Sequence, residues 1–188
     1  MSSDLLDILE EVEETNDAKA ARLLLLIHAF RKQDRPAIEG ITKLAKLDFL
    51  LRYPAYFESA MLARGANPKA IEVQEFERHS IESSMVRYRF GPWDHSYRAL
   101  LNLLAARGLA VLRVEGRKVL IDLSDRGCEI AGEMELLEEF APVVARAQML
   151  QRYLDVGATK IMNFIYEQFP ELADMQLNER IEAETLLP

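Results

Sequence analysis

WDHSYRALLNLLAARGLAVLRVEGRKVLIDLSDRG, residues 93–127, decides the fold. Residues 96–107 carry Tyr97, Leu100, Leu101 and Leu104 at helical spacing, and Gly108 is the expected stop. Two short apolar strands follow, 111–114 and 119–123, on either side of Glu115-Gly116. Leu123-Ser124-Asp125-Arg126-Gly127 then reads as the cap of a further helix that runs to about Glu133. Helix, tight hairpin and helix in this order, without slack, are the pattern of a winged helix.

Outward from this stretch, residues 85–90 alternate, with Val86, Tyr88 and Phe90 opposed to Met85, Arg87 and Arg89, and predict a strand stopped by Gly91-Pro92. Residues 71–84 are polar and poorly periodic, as in a connector. Residues 18–70 predict a helical part. Its first helix, 18–32, is deeply apolar at 23–27, and Pro36 marks the break after it. Residues 40–47 predict a short helix with Ile41, Leu44 and Leu47 on one side and Lys43 and Lys46 on the other. Asp48 reads as the N-cap or a first-turn acid of a longer helix that Pro54 interrupts, and residues 56–64 resume it. Residues 1–17 form an acidic arm with a short amphipathic helix ended by Asn16-Asp17. On the other side, residues 134–170 predict C-terminal helices, 134–155 with a junction at Pro142 and then 158–169. Residues 171–188 read as an acidic tail, a weak helix or a segment ordered only by a partner. The expected fold is mainly α with a small β wing: a winged helix-turn-helix module at 85–133 with additional N- and C-terminal helices.

Charge is distributed unevenly. The net charge is −8, yet residues 22–69 and 85–118 each carry a net +5. Residues 1–17 hold seven acids and no bases, and residues 119–188 a net −9. A basic middle suits nucleic acid or an acidic protein face, while acidic ends suit a basic partner. The overall sign argues against a freely acting DNA binder. The longest apolar run, at 23–27, falls far short of the roughly 20 residues that cross a bilayer. The acidic N-terminus is opposite to a signal peptide, and the single cysteine, Cys128, suits a reducing compartment. These features predict a cytoplasmic protein with no membrane role.

Catalytic patterns are missing from the sequence. His28, His79 and His95 have no ligand-spaced companions, and no phosphate-cradling glycine loop or nucleophile elbow occurs. His28 sits in an apolar helix, as a core histidine does. The expectation is a non-enzyme with no cofactor, no metal and no small-molecule substrate. The helix at 96–107 instead offers Arg98 and Asn102 on its polar side, residue types that suit guanine and adenine edges. Arg113, Arg117 and Lys118 in the hairpin, with Arg87 and Arg89 on the preceding strand, are candidates for phosphate contact. Trp93 and Tyr97, with Arg52, Tyr53, Tyr56 and Phe57, are candidate partner-docking residues, being aromatic and arginine side chains of the kind that anchor interfaces.

Three blocks together carry a resemblance: Ile41-Thr42-Lys43-Leu44-Ala45-Lys46-Leu47-Asp48-Phe49-Leu50-Leu51-Arg52-Tyr53-Pro54, Met85-Val86-Arg87-Tyr88-Arg89-Phe90-Gly91-Pro92-Trp93-Asp94, and Leu123-Ser124-Asp125-Arg126-Gly127. They resemble the small winged-helix middle component of bacterial three-component ABC-ATPase defence systems, the group that includes the accessory subunit of Lamassu-type systems. The similarity covers roughly residues 18–132. It implies a non-catalytic adaptor between an SMC- or ABC-like ATPase and an effector, often a nuclease, in a complex that detects foreign DNA. A stand-alone winged-helix transcription regulator, dimeric through its C-terminal helices, is the alternative, and a plain dimerisation module is a third.

Overall fold

Residues 23–27 are apolar all round the helix they belong to, and a helix so built has to be enclosed. The computed structural model describes residues 2–78, 85–89 and 91–181, with side chains from residue 16 onward. Helix α1 (Ser2–Ala29) passes through the middle of the molecule, packed against helices and a strand from both halves of the chain. The expected break at Asn16-Asp17 does not occur. Each of these residues costs only a few tenths of a kcal/mol in a helix, too little to stop one that is otherwise favoured. Asp17 is instead held by the Arg107 Nη1 donor at 2.8 Å.

Strand β1 (Ile38–Glu39) leads through Gly40 into α2 (Ile41–Arg52), a single helix whose residues from Lys43 to Arg52 are all buried. Asp48 is therefore a mid-helix residue and not a cap, and Lys43 and Lys46 do not form a solvated face. Pro54 then opens α3 (Pro54–Ala63), with the break at Tyr53 as its sequence predicts. The connector holds one short helix, α4 (Glu75–Arg78), and its residues 79–84 lie outside the described residues.

Strands β2 (Met85–Tyr88) and β3 (Gly91–Trp93) pair antiparallel, so Gly91-Pro92 begins a return strand where the sequence suggested a stop. Proline is tolerated there because β3 is an edge strand. Phe90 lies outside the described residues. Helix α5 (Tyr97–Ala106), β4 (Ala110–Glu115), β5 (Lys118–Leu123) and α6 (Asp125–Glu135) follow in the expected order. Gly116 opens the two-residue hairpin turn at φ +59°, the first turn position that favours glycine. At the α6 cap, Ser124 Oγ accepts the Gly127 N–H at 2.9 Å and donates to the Gly108 carbonyl at 2.6 Å. A Cβ on Gly127 would lie 1.9 Å from the Leu109 carbonyl oxygen, so glycine is what lets α6 lie against the base of the hairpin.

The junction expected at Pro142 divides the 134–155 stretch, and its first two residues belong to α6. Helix α6 ends at Glu135, and α7 (Ala141–Leu154) begins with Pro142 in its first turn, where a missing N–H costs nothing. Helices α8 (Ala158–Gln168) and α9 (Pro170–Asp174) and strand β6 (Arg180–Ile181) complete the described residues. The expected acidic tail is thus part of the fold as far as residue 181. Met85 and Val86 pair with Ile181 and Arg180, and Ile181 is fully buried. Tyr53 ties the two strands, its hydroxyl donating to the Ile181 carbonyl at 2.8 Å and accepting the Met85 N–H at 2.7 Å.

The architecture is mainly helical with two small antiparallel sheets, β1-β5-β4 and β3-β2-β6. In the first, Ile38 and Glu39 pair with Ile121 and Leu120. The hairpin expected to lie within 85–133 therefore draws a strand from before the connector. One continuous apolar core, from Ala20 to Ile181, joins elements from both sides.

Candidate functional site

Asp48, in the middle of α2, organises a buried ionic network. Its Oδ1 accepts Arg22 Nε at 2.7 Å, and its Oδ2 accepts Arg52 Nη2 at 2.5 Å and the Tyr97 hydroxyl at 2.7 Å. Arg52 Nη1 also donates to Asp94 Oδ2 at 2.8 Å, while Asp94 Oδ1 accepts the Ser96 N–H. Burial alone would raise the Asp48 carboxyl. The charges of Arg22 and Arg52 and the hydrogen bonds from Arg22 and Tyr97 override it and hold the group well below the usual carboxylate range. Burial and the Asp48 charge push the Tyr97 phenol well above its ordinary value.

This network corrects the expected docking surface. Arg52, Tyr53, Tyr56, Phe57 and Tyr97 are all at most 4% exposed, and none of them presents a surface in this fold. Tyr53 and Tyr56 pack with Phe49, and Tyr56 with Phe169, as a core aromatic cluster. Aromatic anchors and core aromatics have the same composition, and only exposure separates them. Trp93 alone of the six remains half-exposed, between Tyr88 at 5.8 Å and Tyr97 at 5.5 Å. Large apolar side chains do reach the surface elsewhere. Leu136 is 86% exposed, with Leu137 beside it in the link between α6 and α7, and Val114 stands out near the hairpin tip.

The candidate nucleic-acid residues divide into two groups. Arg98 and Asn102 are exposed on α5, and Arg113, Arg117 and Lys118 are exposed along the β4–β5 hairpin. Lys118 lies 3.5 Å from Glu39 Oε2. Arg87 belongs to the other sheet: its guanidinium donates to the Leu172 and Ala173 carbonyls and lies 6.0 Å from the Tyr166 ring. It covers the C-terminal end of α9, where a basic group satisfies exposed carbonyls. Arg89 is exposed just past the end of β2.

Arg98, Arg117 and Lys118 border a groove of about 620 Å³ that no local pattern of residues foretells. Trp93 and the N-terminal turns of α2 and α8 also line it. Asp155, at the end of α7, lies in the same groove and binds Lys32 at 2.7 Å, Lys43 at 3.1 Å, and Arg35. Burial raises its carboxyl, but hydrogen bonds from Lys32 and Lys43 outweigh that and leave it below the ordinary value.

Nucleophilic and metal chemistry find little support elsewhere. His28 Nδ1 lies 3.0 Å from Glu135 Oε1, a half-buried contact that joins α1 to α6. Burial raises the Cys128 thiol, the reverse of activation. Among the described residues, no three His, Cys, Asp or Glu side chains gather as a metal site would require. Among them also, no helix is long and apolar enough to cross a membrane. Comparison with protein-family models, curated proteins and solved structures returns no match.

Proposed function

We propose that this chain is a winged-helix adaptor: a non-catalytic subunit that links an SMC- or ABC-like ATPase to an effector nuclease in defence against phage or plasmid DNA. The observation that carries the winged-helix reading is topological. Helix α1, strand β1, helix α2, helix α5 and the β4–β5 hairpin follow in the winged-helix order, and β1 closes onto the hairpin in the sheet β1-β5-β4. Residues 53–96 are then an insertion between the second and third helices of the module. The wing is the β4–β5 hairpin, and α5 is the helix that a DNA reader would place in the major groove.

Three features favour docking over sequence reading. The α5 face offers Arg98 and Asn102 but little further charge, and the chain as a whole carries −8. Leu136 and Leu137 give an exposed apolar pair away from the wing, a feature that marks contact surfaces. The resemblance of residues 18–132 to the middle components of three-component ATPase systems supplies the partner class. DNA contact in this reading is with phosphates, through Arg98, Arg113, Arg117 and Lys118, and is salt-sensitive rather than sequence-specific.

Tagged full-length chain, pulled from its native host, should bring down a large ATPase and a second subunit. Purified alone, it should bind duplex DNA weakly and without sequence preference. The exposure of Arg98 and Asn102 on α5 is what favours the second reading, a stand-alone dimeric regulator. Tight binding of one duplex by the isolated protein, abolished by Arg98→Glu, with no ATPase in the pull-down, would replace the adaptor with that regulator.

A further inference from the structure

The groove between α2 and α8 combines features that point to one kind of ligand. Six cationic side chains line it, against two carboxylates, Glu39 and Asp155. Both carboxylates are already engaged, Asp155 by Lys32, Arg35 and Lys43, and Glu39 by Lys118. Arg98, Arg117 and Lys160 are left without a carboxylate partner among the described residues. The wall thus keeps an unmatched positive surplus even after its own acids are counted.

Two helix starts add to that surplus. Helix α2 starts after Gly40 and α8 after Gly157, and neither glycine supplies a side-chain cap. The first turns of two helices, residues 40–43 and 157–160, therefore border one cavity, each at the positive end of a helix dipole and without a side-chain cap. Lys46 is a separate sign of the same imbalance. It is 2% exposed, its ammonium runs back along α2 to the Thr42 carbonyl at 3.1 Å, and it meets no carboxylate among the described residues. Thr42 is itself part of the groove wall. Burial pulls the Lys46 amine down to about 8, as expected for an ammonium with no counter-charge nearby.

Size and surface narrow the anion. The cavity falls within the roughly 300–1,000 Å³ range of small-ligand sites, whereas an acidic protein partner needs a broad contact face. Trp93 supplies an aromatic wall of the kind on which bases stack. We propose that this groove binds a nucleoside phosphate, with the phosphate held between the α2 and α8 N-termini by Arg98, Arg117 and Lys160, and the base against Trp93. The same chemistry occurs at the phosphorylated end of a nucleic-acid strand and in a free nucleotide. The proposal deepens the phosphate contact of the adaptor reading, but it does not depend on the ATPase partner.

Trp93 is the only tryptophan in the chain, so its fluorescence reports on the groove directly. Full-length protein is titrated at low salt with a 5′-phosphorylated oligothymidylate, its unphosphorylated twin, a thymidine mononucleotide, inorganic phosphate and an oligoglutamate peptide. The phosphorylated strand or the mononucleotide should change Trp93 emission and bind at least tenfold more tightly than the unphosphorylated strand or the peptide. Tighter binding of the phosphorylated strand than of the mononucleotide assigns a strand end, and equal binding assigns a free nucleotide. Lys160→Glu should weaken binding tenfold or more, while Lys69→Glu, outside the groove, should not.

Gly157→Asp is the sharper variant. Its φ of −66° and ψ of 153° suit a capping residue, and a Cβ there meets nothing within 4 Å. The new carboxylate should occupy the α8 N-terminus, leave the melting temperature unchanged or about one degree higher, and still abolish phosphate binding. Equal affinity of wild type, Lys160→Glu and Gly157→Asp for every phosphate, or preference for oligoglutamate, would overturn the proposal. Co-purification of the ATPase with Gly157→Asp separates the two readings. Partners retained without phosphate binding leave the adaptor standing, and phosphate binding by wild type with no partners in its pull-down removes the adaptor alone.

Discussion

In the second half of α2, Asp48 and Arg52 are buried, and each charge in their network meets an opposite one within 2.8 Å. Two residues before Asp48, Lys46 is buried with no carboxylate among the described residues, and at the start of the helix Arg98, Arg117 and Lys160 stand around the uncapped N-termini of α2 and α8. One helix therefore takes part in a closed ionic network and borders an open one. A closed network specifies how segments fit together, since a member that loses its partner is left charged in a low-dielectric interior. An open network offers the same Coulombic attraction to something from outside. The lesson is that charge type and burial do not separate structural from functional groups here, whereas the presence of a partner does.

The largest expected effect comes from breaking the closed end. Asp48→Asn removes the carboxylate that Arg22 and Arg52 share in the interior, at a cost of about 3–5 kcal/mol in urea unfolding at pH 7. The Asp48 carboxyl lies below its unfolded value of 3.8, so its contribution is present above that pH and is lost as the pH falls toward the folded value. The gap between wild type and Asp48→Asn should therefore narrow in acid. A gap that stays constant down to pH 2 would mean that Asp48 acts by shape and not by charge.

Lys46→Met tests the boundary between the two ends and should act in the opposite direction. The folded-state amine, at about 8, lies below its unfolded value of 10.5, so its burial cost is present in full at pH 7. Removal should stabilise the protein by roughly 1–3 kcal/mol there. Between pH 8 and 10 the folded wild type releases its proton first and recovers stability, so the advantage of the variant should shrink. Destabilisation by Lys46→Met at pH 7 would mean that the ammonium is satisfied after all.

The smallest change in stability belongs to the open end. Arg98→Glu and Lys160→Glu should each stay within about 0.5 kcal/mol of wild type by denaturant titration, because both side chains are exposed and neither has an ion-pair partner among the described residues. A loss of 2 kcal/mol or more in either would move that residue to the closed category and weaken the case for a ligand.

Segments whose signals are local were legible in the sequence. The α5–β4–β5–α6 stretch is marked by glycines at Gly108 and Gly116, by a strand repeat and by the Ser124 cap, and its boundaries came out within a residue or two. The two-residue strands β1 and β6 gave no such signal, because their pairing partners lie far away in the chain. Asp48 resembled a cap because the feature that distinguishes a buried acid, Arg22, sits 26 residues earlier. Its i,i+4 relation to Arg52 was the one local hint. The groove was invisible for the same reason as β1. Its walls come from residues near 40, 93, 98, 117 and 160, which meet only once the chain is folded.

Tyr53 has one further consequence, in time rather than in space. Its hydroxyl bridges Met85 and Ile181, and β2 is complete only when β6 lies beside it. At ordinary synthesis rates, residue 181 leaves the ribosome on the order of 5–20 s after residue 85. During that interval one edge of β2 has no neighbouring strand, and the Tyr53 hydroxyl has no carbonyl to receive its proton. Until then β2 keeps an open edge of the kind to which other strands add, and β6 is what covers it.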